Sequence, residues 1–480
     1  MVLIGYEIKM DIRKLLEIEE DSKILDFKFE VLDIPMWLPI RFQVYQDIIN
    51  HYAKLDNPHI RVNLFKMPFK KKLDYFIKTL KKHPFRDRKV DILIFGAGIN
   101  NVLEGGKYYN RLYDHLFKIL DGLLLIESSS KFSYPTPRHL NEIYYEDIIG
   151  IFSSLYSKFC NTSLKDRQNI QNFISYISNR LQFLGYKDVI DTTNYLYILE
   201  KMSKKIKLRS KLYNKLLKTL KPKAIIVEDA HYFERIDLIT IAKRSDIRVV
   251  EYQHGLINEN HLAYNFSEGI VNKVKDYSPD EMLFWGEYWA ERAKIPGIKV
   301  IVGFPYIEIK SKYYKQKNKS KSLKRILLCS SGTIPEKYIE FGEKILKTLG
   351  KEKYEYVFRP HPSERPSVYD RYSALLNIGY QLDNYNLYES LSNADFVISL
   401  EPTTVLYEAV KFCDTVINLI LTSSSSLYFS NEILPFLTAN TVEECLEYIT
   451  KENLSVNRDF IDSIFYPKYE EAWQYWRSSI

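Results

Sequence analysis

Short apolar runs, each bounded by polar or turn-forming residues, recur along this chain and predict buried β-strands. Runs of this kind are typical of parallel sheets, whose strands are buried on both faces. Helical periodicity follows several of them, for example over 335–350 and 405–412. Strand, turn and helix therefore alternate, as in doubly wound α/β folds. The predicted strands are 90–96, 122–128, 223–229, 247–253, 299–305, 325–331, 354–360, 394–400 and 414–420.

Two stretches interrupt this alternation and indicate how the chain is divided. The region from about 139 to 221 lacks convincing strands and carries apolar residues at helical spacing, which predicts a helical insertion. Segment 311–324 is basic and has almost no apolar periodicity, as in an exposed linker. We therefore predict two Rossmann-like domains that face each other across a cleft, over 1–310 and 325–465, and a terminal helix over 466–480.

Composition excludes several classes of protein. Hydrophobic residues make up 46% and charged residues 27% of the 480 residues, which excludes disordered and fibrous chains. Glycine is scarce, at 17 residues, so a long glycine-rich phosphate loop is not expected. The 4 cysteines form no CxxC pair, which argues against a zinc knuckle or disulfide framework and favours a reducing compartment. Without a membrane-length apolar run or signal-peptide pattern, we expect a cytoplasmic protein whose membrane contact is peripheral, on the inner face.

Positive charge is concentrated in three stretches. The formal net charge is +7, but 61–89, 201–223 and 310–325 together hold +27 and leave −20 for the remainder. An acidic body with three basic patches argues against a surface that wraps nucleic acid, and no usual RNA-binding module is present. Helix 69–82 places an apolar stripe beside lysines, which fits either a solvated basic face or binding to anionic lipid.

The first candidate site follows the strand at 325–331. Ser330, Ser331, Gly332 and Thr333 lie there, directly before a predicted helix. Small hydroxyl side chains and the free N–H groups of a helix start can bind a phosphate. A capped strand-to-helix turn explains the same residues without a ligand.

A second candidate follows the next strand, 354–360. Arg359 and His361 can both donate hydrogen bonds to phosphate oxygens, and Pro362 restricts His361 to an extended backbone. The structural alternative is that an X-Pro step simply ends the strand.

A third candidate follows the strand at 394–400. Glu401 ends the strand, Thr403 and Thr404 begin the next helix, and Glu408 lies one turn further on. Threonine hydroxyls can bind an anion, and a carboxylate can bind ribose hydroxyls. A plain N-cap explains Thr403 equally well. These three loops together predict a nucleotide site in the second domain.

Two successive strands of the first domain also end in polar residues. Glu228 and Asp229 end one strand, and Gln253, His254 and Gly255 end the next. Adjacent strand ends of a parallel sheet are roughly 5 Å apart, so we expect Asp229 and His254 to approach each other. Either group can act as a general base on a hydroxyl. The alternative is an exposed strand exit beside a turn histidine.

In order and placement, these motifs resemble GT-B glycosyltransferases of bacterial surface polysaccharide synthesis, in particular the CMP-sialic acid dependent sialyltransferases. The resemblance rests on Glu228-Asp229-Ala230, where the family has glycine third, on His361-Pro362, and on Thr403-Thr404, where it has serines. The Gln253-His254-Gly255 element is similar to a motif of CDP-glycerol glycerophosphotransferases and related capsule enzymes.

The resemblance implies a metal-independent, inverting transfer. Asp229 would be the general base on the acceptor, with Glu228 or His254 as its supporting or rival group. His361 would hold the donor phosphate. No cofactor is expected; the partners would be a nucleotide-sugar donor, CMP-linked by the resemblance, a glycan or glycolipid acceptor, and an anionic membrane surface. The remaining donor-side residues would be Thr403, Thr404 and the Ser330–Thr333 loop for phosphate, and Glu401 or Glu408 for base or ribose.

Three alternatives remain open at this stage. A CDP-glycerol or ribitol type phosphotransferase would share the Gln253-His254-Gly255 element. A GT-B-like nucleotide-sugar epimerase would act on the donor without an acceptor. A non-catalytic scaffold would bind polyanions through the three basic patches.

Overall fold

The structure is a computed structural model that describes residues 12–53, 67–86, 88–315, 323–401, 403–421, 434–451 and 460–480. It contains two separate parallel sheets with helices packed around them, which confirms the predicted α/β class with two domains. All nine predicted strands are present, and eight of them lie within two residues of the expected bounds, because they are apolar runs that the sheets largely bury. The strand predicted over 299–305 spans Ile298–Ile301, so it ends four residues early, and it is largely exposed.

The first sheet has seven strands in the order β5-β4-β1-β6-β7-β8-β9, and every neighbouring pair is parallel. Central β6 lies between β1 and β7, with Ile226 opposite both Ile94 and Val250. Because the strands are parallel, the residues that follow them meet at one edge of the sheet. The strands are β1 Ile92–Ala97, β4 Leu123–Ser128, β5 Ile143–Tyr145, β6 Ala224–Val227, β7 Arg248–Tyr252, β8 Glu281–Phe284 and β9 Ile298–Ile301.

The second sheet has six parallel strands in the order β12-β11-β10-β13-β14-β15. Its central strand β10 lies between β11 and β13, so the three candidate loops that follow these strands share one edge. The strands are β10 Lys324–Cys329, β11 Tyr354–Arg359, β12 Gln381–Leu382, β13 Phe396–Ser399, β14 Thr415–Leu419 and β15 Leu437–Ala439. An antiparallel hairpin of β2 Asn101–Glu104 and β3 Lys107–Asn110 projects after β1.

Helices connect the strands and cover both sheets. Pro335 begins the helix after β10, where its missing N–H costs nothing, and Gly350 ends that helix with φ 69°. The α-helices are α1 Leu38–Ala53, α2 Phe69–Lys81, α3 Leu116–Ile119, α4 Asp147–Phe159, α5 Leu164–Phe183, α6 Thr192–Leu220, α7 Ile236–Lys243, α8 Glu287–Arg292, α9 Pro305–Lys315, α10 Pro335–Leu349, α11 Val368–Ile378, α12 Leu387–Asn393, α13 Thr404–Ala409, α14 Val442–Thr450, α15 Ile461–Ile464 and α16 Tyr469–Ser478.

Several features differ from the sequence-based expectation, were not predicted, or lie outside the described residues. The region 139–221 contains α4, α5 and α6, but also the three-residue edge strand β5, which is too short to leave a pattern. Residues 311–315 of the predicted linker complete α9, and 316–322 lie outside the described residues. Strands β8, β12 and β15 and the hairpin were not predicted.

The end of the chain returns to the first sheet. Trp473 of α16 packs edge-on against Tyr252 at the end of β7, with ring centroids 5.1 Å apart. Trp476 donates from Nε1 to Glu281 at 2.8 Å, and Arg477 pairs with Asp91 at 2.6 Å. The terminal helix thus braces the first sheet, whose strands β6 and β7 precede Asp229 and His254. Of the helices within the described ranges, none is long and apolar enough to cross a bilayer.

Candidate active site

Asp229 and His254 form an ion pair at the edge of the first sheet. They follow the adjacent strands β6 and β7, and the distance from His254 Nδ1 to Asp229 Oδ1 is 2.9 Å. Their side chains are 36% and 24% exposed, so a substrate can reach the pair. Asp229 has a left-handed backbone with φ 58°, which is rare outside glycine and concentrates at functional sites. The structure therefore brings together the two residues that the sequence placed on neighbouring strand ends.

The ion pair controls the charge of both groups. Burial alone would lower the pKa of His254, but the Asp229 carboxylate outweighs it and raises the pKa to about 9. Burial alone would raise the pKa of Asp229, but the facing imidazolium keeps it below its usual range. Near neutral pH the pair is therefore a carboxylate beside a protonated imidazole.

Glu228 lies behind this pair and faces the protein interior. Its carboxyl oxygens accept hydrogen bonds from Ala97 N at 2.8 Å and from Asn100 Nδ2 at 2.5 Å. Burial, together with the neighbouring Asp229 carboxylate, raises the pKa of Glu228 to about 8. Glu228 is 1% exposed, so its position suits support of Asp229 rather than contact with an acceptor.

A buried hydrogen-bond chain that the sequence analysis missed holds His254 from the interior side. The Tyr264 hydroxyl lies 3.3 Å from His254 Nδ1 and donates to Glu251 Oε1 at 2.8 Å. The other Glu251 oxygen accepts from the backbone N–H of His231 at 3.1 Å and pairs with the His231 ring. An acid within the apolar run of β7 was the available signal for Glu251. Tyr264 ends a three-residue 3-10 helix, Leu262–Tyr264, which is too short to leave a signal.

In the second sheet, Glu401 closes the Ser330–Thr333 loop. Its carboxylate accepts from the backbone N–H groups of Ser331 at 3.1 Å and Thr333 at 3.2 Å, and also from the Thr333 hydroxyl. The Ser330 hydroxyl accepts from Gly332 N at 3.0 Å. Glu401 thus occupies the loop amides that the sequence analysis offered to a phosphate.

His361 is held in one tautomer by its own loop. Ser363 donates its backbone N–H to His361 Nδ1 at 3.2 Å, and its hydroxyl lies 2.6 Å from the same nitrogen. An accepting Nδ1 places the hydrogen of the neutral ring on Nε2, which makes Nε2 a donor. Buried Glu364 accepts from His361 N at 2.9 Å and from the Tyr372 hydroxyl at 2.5 Å, so it fixes the loop that contains Pro362.

Arg359 points to the neighbouring loop instead of standing beside His361. It forms an ion pair with buried Asp383 and donates to Tyr385 O at 3.1 Å. This pairing gives Arg359 a structural partner, which the sequence did not indicate because Asp383 follows the two-residue strand β12.

The two halves of the protein meet where these motifs lie. A Cβ built on Gly255 would lie 3.9 Å from Thr404 Oγ1, so the first-domain and second-domain motifs are in direct proximity. Thr403 caps α13 by accepting from Val405 N at 3.4 Å. Buried Glu408 lies 3.4 Å from the Arg111 guanidinium, which follows hairpin strand β3. Arg111 is a further site residue that the sequence analysis missed.

The described residues contain no group of three or more His, Cys, Asp or Glu side chains placed to hold a metal ion. The side chains of the site can accept a proton from a hydroxyl at Asp229 and can donate hydrogen bonds from His361, Thr403 and Thr404.

Fold and site together define an α/β protein with two parallel sheets and an acid–base pair at the junction of its halves. No protein-family model matches the chain. An uncharacterized protein of Methanocaldococcus jannaschii is 33% identical over 132 residues, which cover 25% of this chain and 22% of that protein. The chain thus matches about a fifth of the length of this relative.

Similar solved structures include sugar-nucleotide enzymes. The MnaA–UDP structure from S. aureus is 13% identical, covers 80% of this chain and 91% of its own, and has a TM-score of 0.43. UDP-GlcNAc 2-epimerase from Neisseria meningitidis, bound to UDP-GlcNAc, is 13% identical, covers 80% of this chain and 93% of its own, and has a TM-score of 0.40. MurG from Acinetobacter baumannii is 12% identical, covers 81% of this chain and 99% of its own, and has a TM-score of 0.37. These TM-scores are too low to establish a shared fold, and the two-domain architecture rests on the strand pairing described above.

Proposed function

We propose that this protein is a GT-B type glycosyltransferase that moves a sugar from a nucleotide donor to a glycan or glycolipid acceptor. The observation that carries the proposal is the Asp229–His254 pair, at 2.9 Å, beside the Thr404 motif of the other half. A partly exposed base next to hydroxyl donors from a second domain suits transfer between two substrates bound on opposite sides.

In the proposed reaction, Asp229 accepts the proton of the acceptor hydroxyl while the oxygen of that hydroxyl bonds to the anomeric carbon of the donor sugar. The bond from that carbon to the donor phosphate breaks, and the nucleotide leaves with the electron pair. The protonated His254 keeps Asp229 ionised, which the direction of its pKa supports. His361 Nε2 and the hydroxyls of Thr403 and Thr404 stabilise the charge on the leaving phosphate. Inversion at the anomeric carbon follows from a single displacement.

The finer part of the proposal concerns the donor. The motif order of Glu228-Asp229, His361-Pro362 and Thr403-Thr404 favours a CMP-linked acid sugar, by the resemblance to sialyltransferases. The work of such an enzyme is assembly of a surface polysaccharide or lipooligosaccharide.

The test is a donor panel of CMP-, CDP-, UDP- and GDP-activated compounds, with nucleotide release measured with and without acceptor. We expect nucleotide release that depends on the acceptor, and we expect it to be fastest with a CMP-sugar. Release of CMP from a CDP-polyol, with transfer of the polyol phosphate to the acceptor, would instead identify a phosphotransferase, and isomerisation without acceptor would identify an epimerase.

Two substitutions then locate the site. Asp229→Asn removes the proton acceptor, so we expect transfer to fall about 10²–10⁴-fold while donor binding persists. His361→Ala removes a phosphate donor, so donor Kd should rise by roughly tenfold, as expected for a hydrogen bond to a charged group. The exposed His139→Ala variant serves as the matched control. Full turnover of Asp229→Asn would refute the assignment of this site.

A further inference from the structure

Helix α2 carries an apolar stripe that is open to solvent. Five large apolar side chains recur at helical spacing along it and are 36–78% exposed: Phe69, Leu73, Phe76, Ile77 and Leu80. Its buried residues are only Tyr75 and Thr79. A row of this size on one helix is unusual for a protein surface in water and marks an interaction face.

Positive charge accompanies the stripe. The helix contains five lysines and a single acid, Asp74, which pairs with Lys78 at 2.9 Å. Lys70, Lys71 and Lys81 are exposed. The neighbouring helix α4, linked to α2 by the hydrogen bond from Tyr75 to Asp147 at 2.9 Å, adds the exposed apolar side chains Phe152, Leu155 and Phe159.

The position of α2 relates this face to the candidate active site. Tyr75 and Ser129 both donate to Asp147, and Ser129 directly follows β4. Strand β4 ends beside β1, where Ser128 lies opposite Ala97, the residue whose N–H binds Glu228. The helix therefore lies at the same edge of the first sheet as Asp229 and His254.

We propose that the exposed face of α2 docks on an anionic lipid bilayer, with its apolar side chains inserted at the headgroup level and its lysines on lipid phosphates. An apolar stripe flanked by lysines matches an interface that is apolar below and anionic above. A symmetric dimer through this face would instead bring the lysines of two copies of α2 against each other, which their like charge disfavours. This inference deepens the proposed function, because docking at this edge would present a lipid-linked acceptor to Asp229.

The test is flotation of the full chain with vesicles of phosphatidylcholine alone or mixed with phosphatidylglycerol. We expect binding to the anionic vesicles that weakens with salt. Lys70→Glu with Lys71→Glu should lower the partition coefficient by at least roughly fivefold per lysine. Phe69→Ser with Leu73→Ser should reduce vesicle binding severalfold, and lowering the salt concentration should not restore it.

Matched controls lie elsewhere on the surface. Phe183→Ser removes an equally exposed aromatic side chain from α5, and Lys207→Glu with Lys211→Glu reverses two exposed lysines of α6. These variants should bind like the wild type, and thermal melting should show that all variants are folded. Equal binding by the α2 variants, or a concentration-dependent dimer that only those variants lose, would overturn the proposal.

Transfer to a short soluble acceptor separates the two proposals. The α2 variants should retain that activity. Vesicle binding by a protein that transfers no sugar would leave the docking face standing and refute the glycosyltransferase function.

Discussion

At the scale of single residues, the candidate site depends on how three ionisable side chains share charge. His254 and Glu228 both hold protons more tightly in the folded protein, with pKa values of about 9 and about 8, whereas Asp229 holds its proton less tightly. The arrangement keeps one exposed carboxylate ionised between a cation and a neutral acid. Such separation of pKa values within one cluster is typical of acid–base sites.

This charge pattern predicts how stability depends on pH. A group whose pKa is raised by folding loses its stabilising proton as the pH rises, so the free energy of unfolding should fall as the pH passes from the ordinary value of Glu228, 4.5, to about 8. Titration of His254 extends the fall to about pH 9. The pKa of Asp229 is lowered by folding, so this residue affects stability only at acid pH, where stability is lost as its carboxylate becomes protonated.

In Glu228→Gln the side chain no longer titrates, so the fall in the free energy of unfolding between pH 5 and 8 should become flatter. This window follows from the raised pKa of Glu228. Urea unfolding at several pH values measures it, with the exposed His139→Gln variant as control. An unchanged slope would show that Glu228 is ionised in the folded protein.

At the scale of elements, buried acidic side chains hold the loops that follow the strands. Glu401, which follows β13, fixes the loop after β10, and Glu364 fixes the loop after β11. Both acids are buried and satisfy backbone N–H groups that would otherwise lack partners. The loop conformations therefore depend on these two carboxyl groups.

Replacing Glu401 tests that role. In Glu401→Ala the N–H groups of Ser331 and Thr333 lose their acceptor, so we expect about 1–3 kcal/mol lower stability in urea. The exposed Glu343→Ala on α10 should change stability by less than about 0.5 kcal/mol. A Glu401→Ala protein as stable as the wild type would mean that water replaces the carboxylate without cost.

At the scale of the whole molecule, buried polar contacts join the two halves. Lys411, just after α13, forms an ion pair with Glu308 of α9, and both side chains are almost fully buried. Tyr288 and Tyr407 bring their hydroxyls to 3.2 Å across the same junction. The relative position of the Asp229 and Thr404 motifs depends on these contacts.

Breaking the Lys411–Glu308 pair should therefore be costly. Lys411→Met leaves a buried carboxylate without its cation, which typically destabilises by about 3–5 kcal/mol. The double variant Lys411→Met with Glu308→Gln should recover most of this loss, because no buried charge remains. Equal stability of the two variants, measured by thermal unfolding, would contradict a strong buried pair.

The sequence alone determined nine of the thirteen strands in the two parallel sheets, the α/β class and the pairing of Asp229 with His254. Those features depend on local apolar runs and on the rule that parallel strands end at one edge. Strands β5, β12 and β15 could not be predicted, because edge strands of two or three residues leave too few positions for a pattern. Strand β8, which lies between β7 and β9, has four residues and was also not predicted.

Only the tertiary structure decided the partners of the candidate residues. Glu401 binds the Ser331 and Thr333 amides, Arg359 pairs with Asp383, and Arg111 reaches Glu408 from a hairpin that no pattern predicted. Each contact joins residues that are distant in sequence, and the chain's local pattern carries no information about which distant side chain will fill a given position. The sequence thus named the chemical groups of the site, and the packing of the two sheets selected which of them act together.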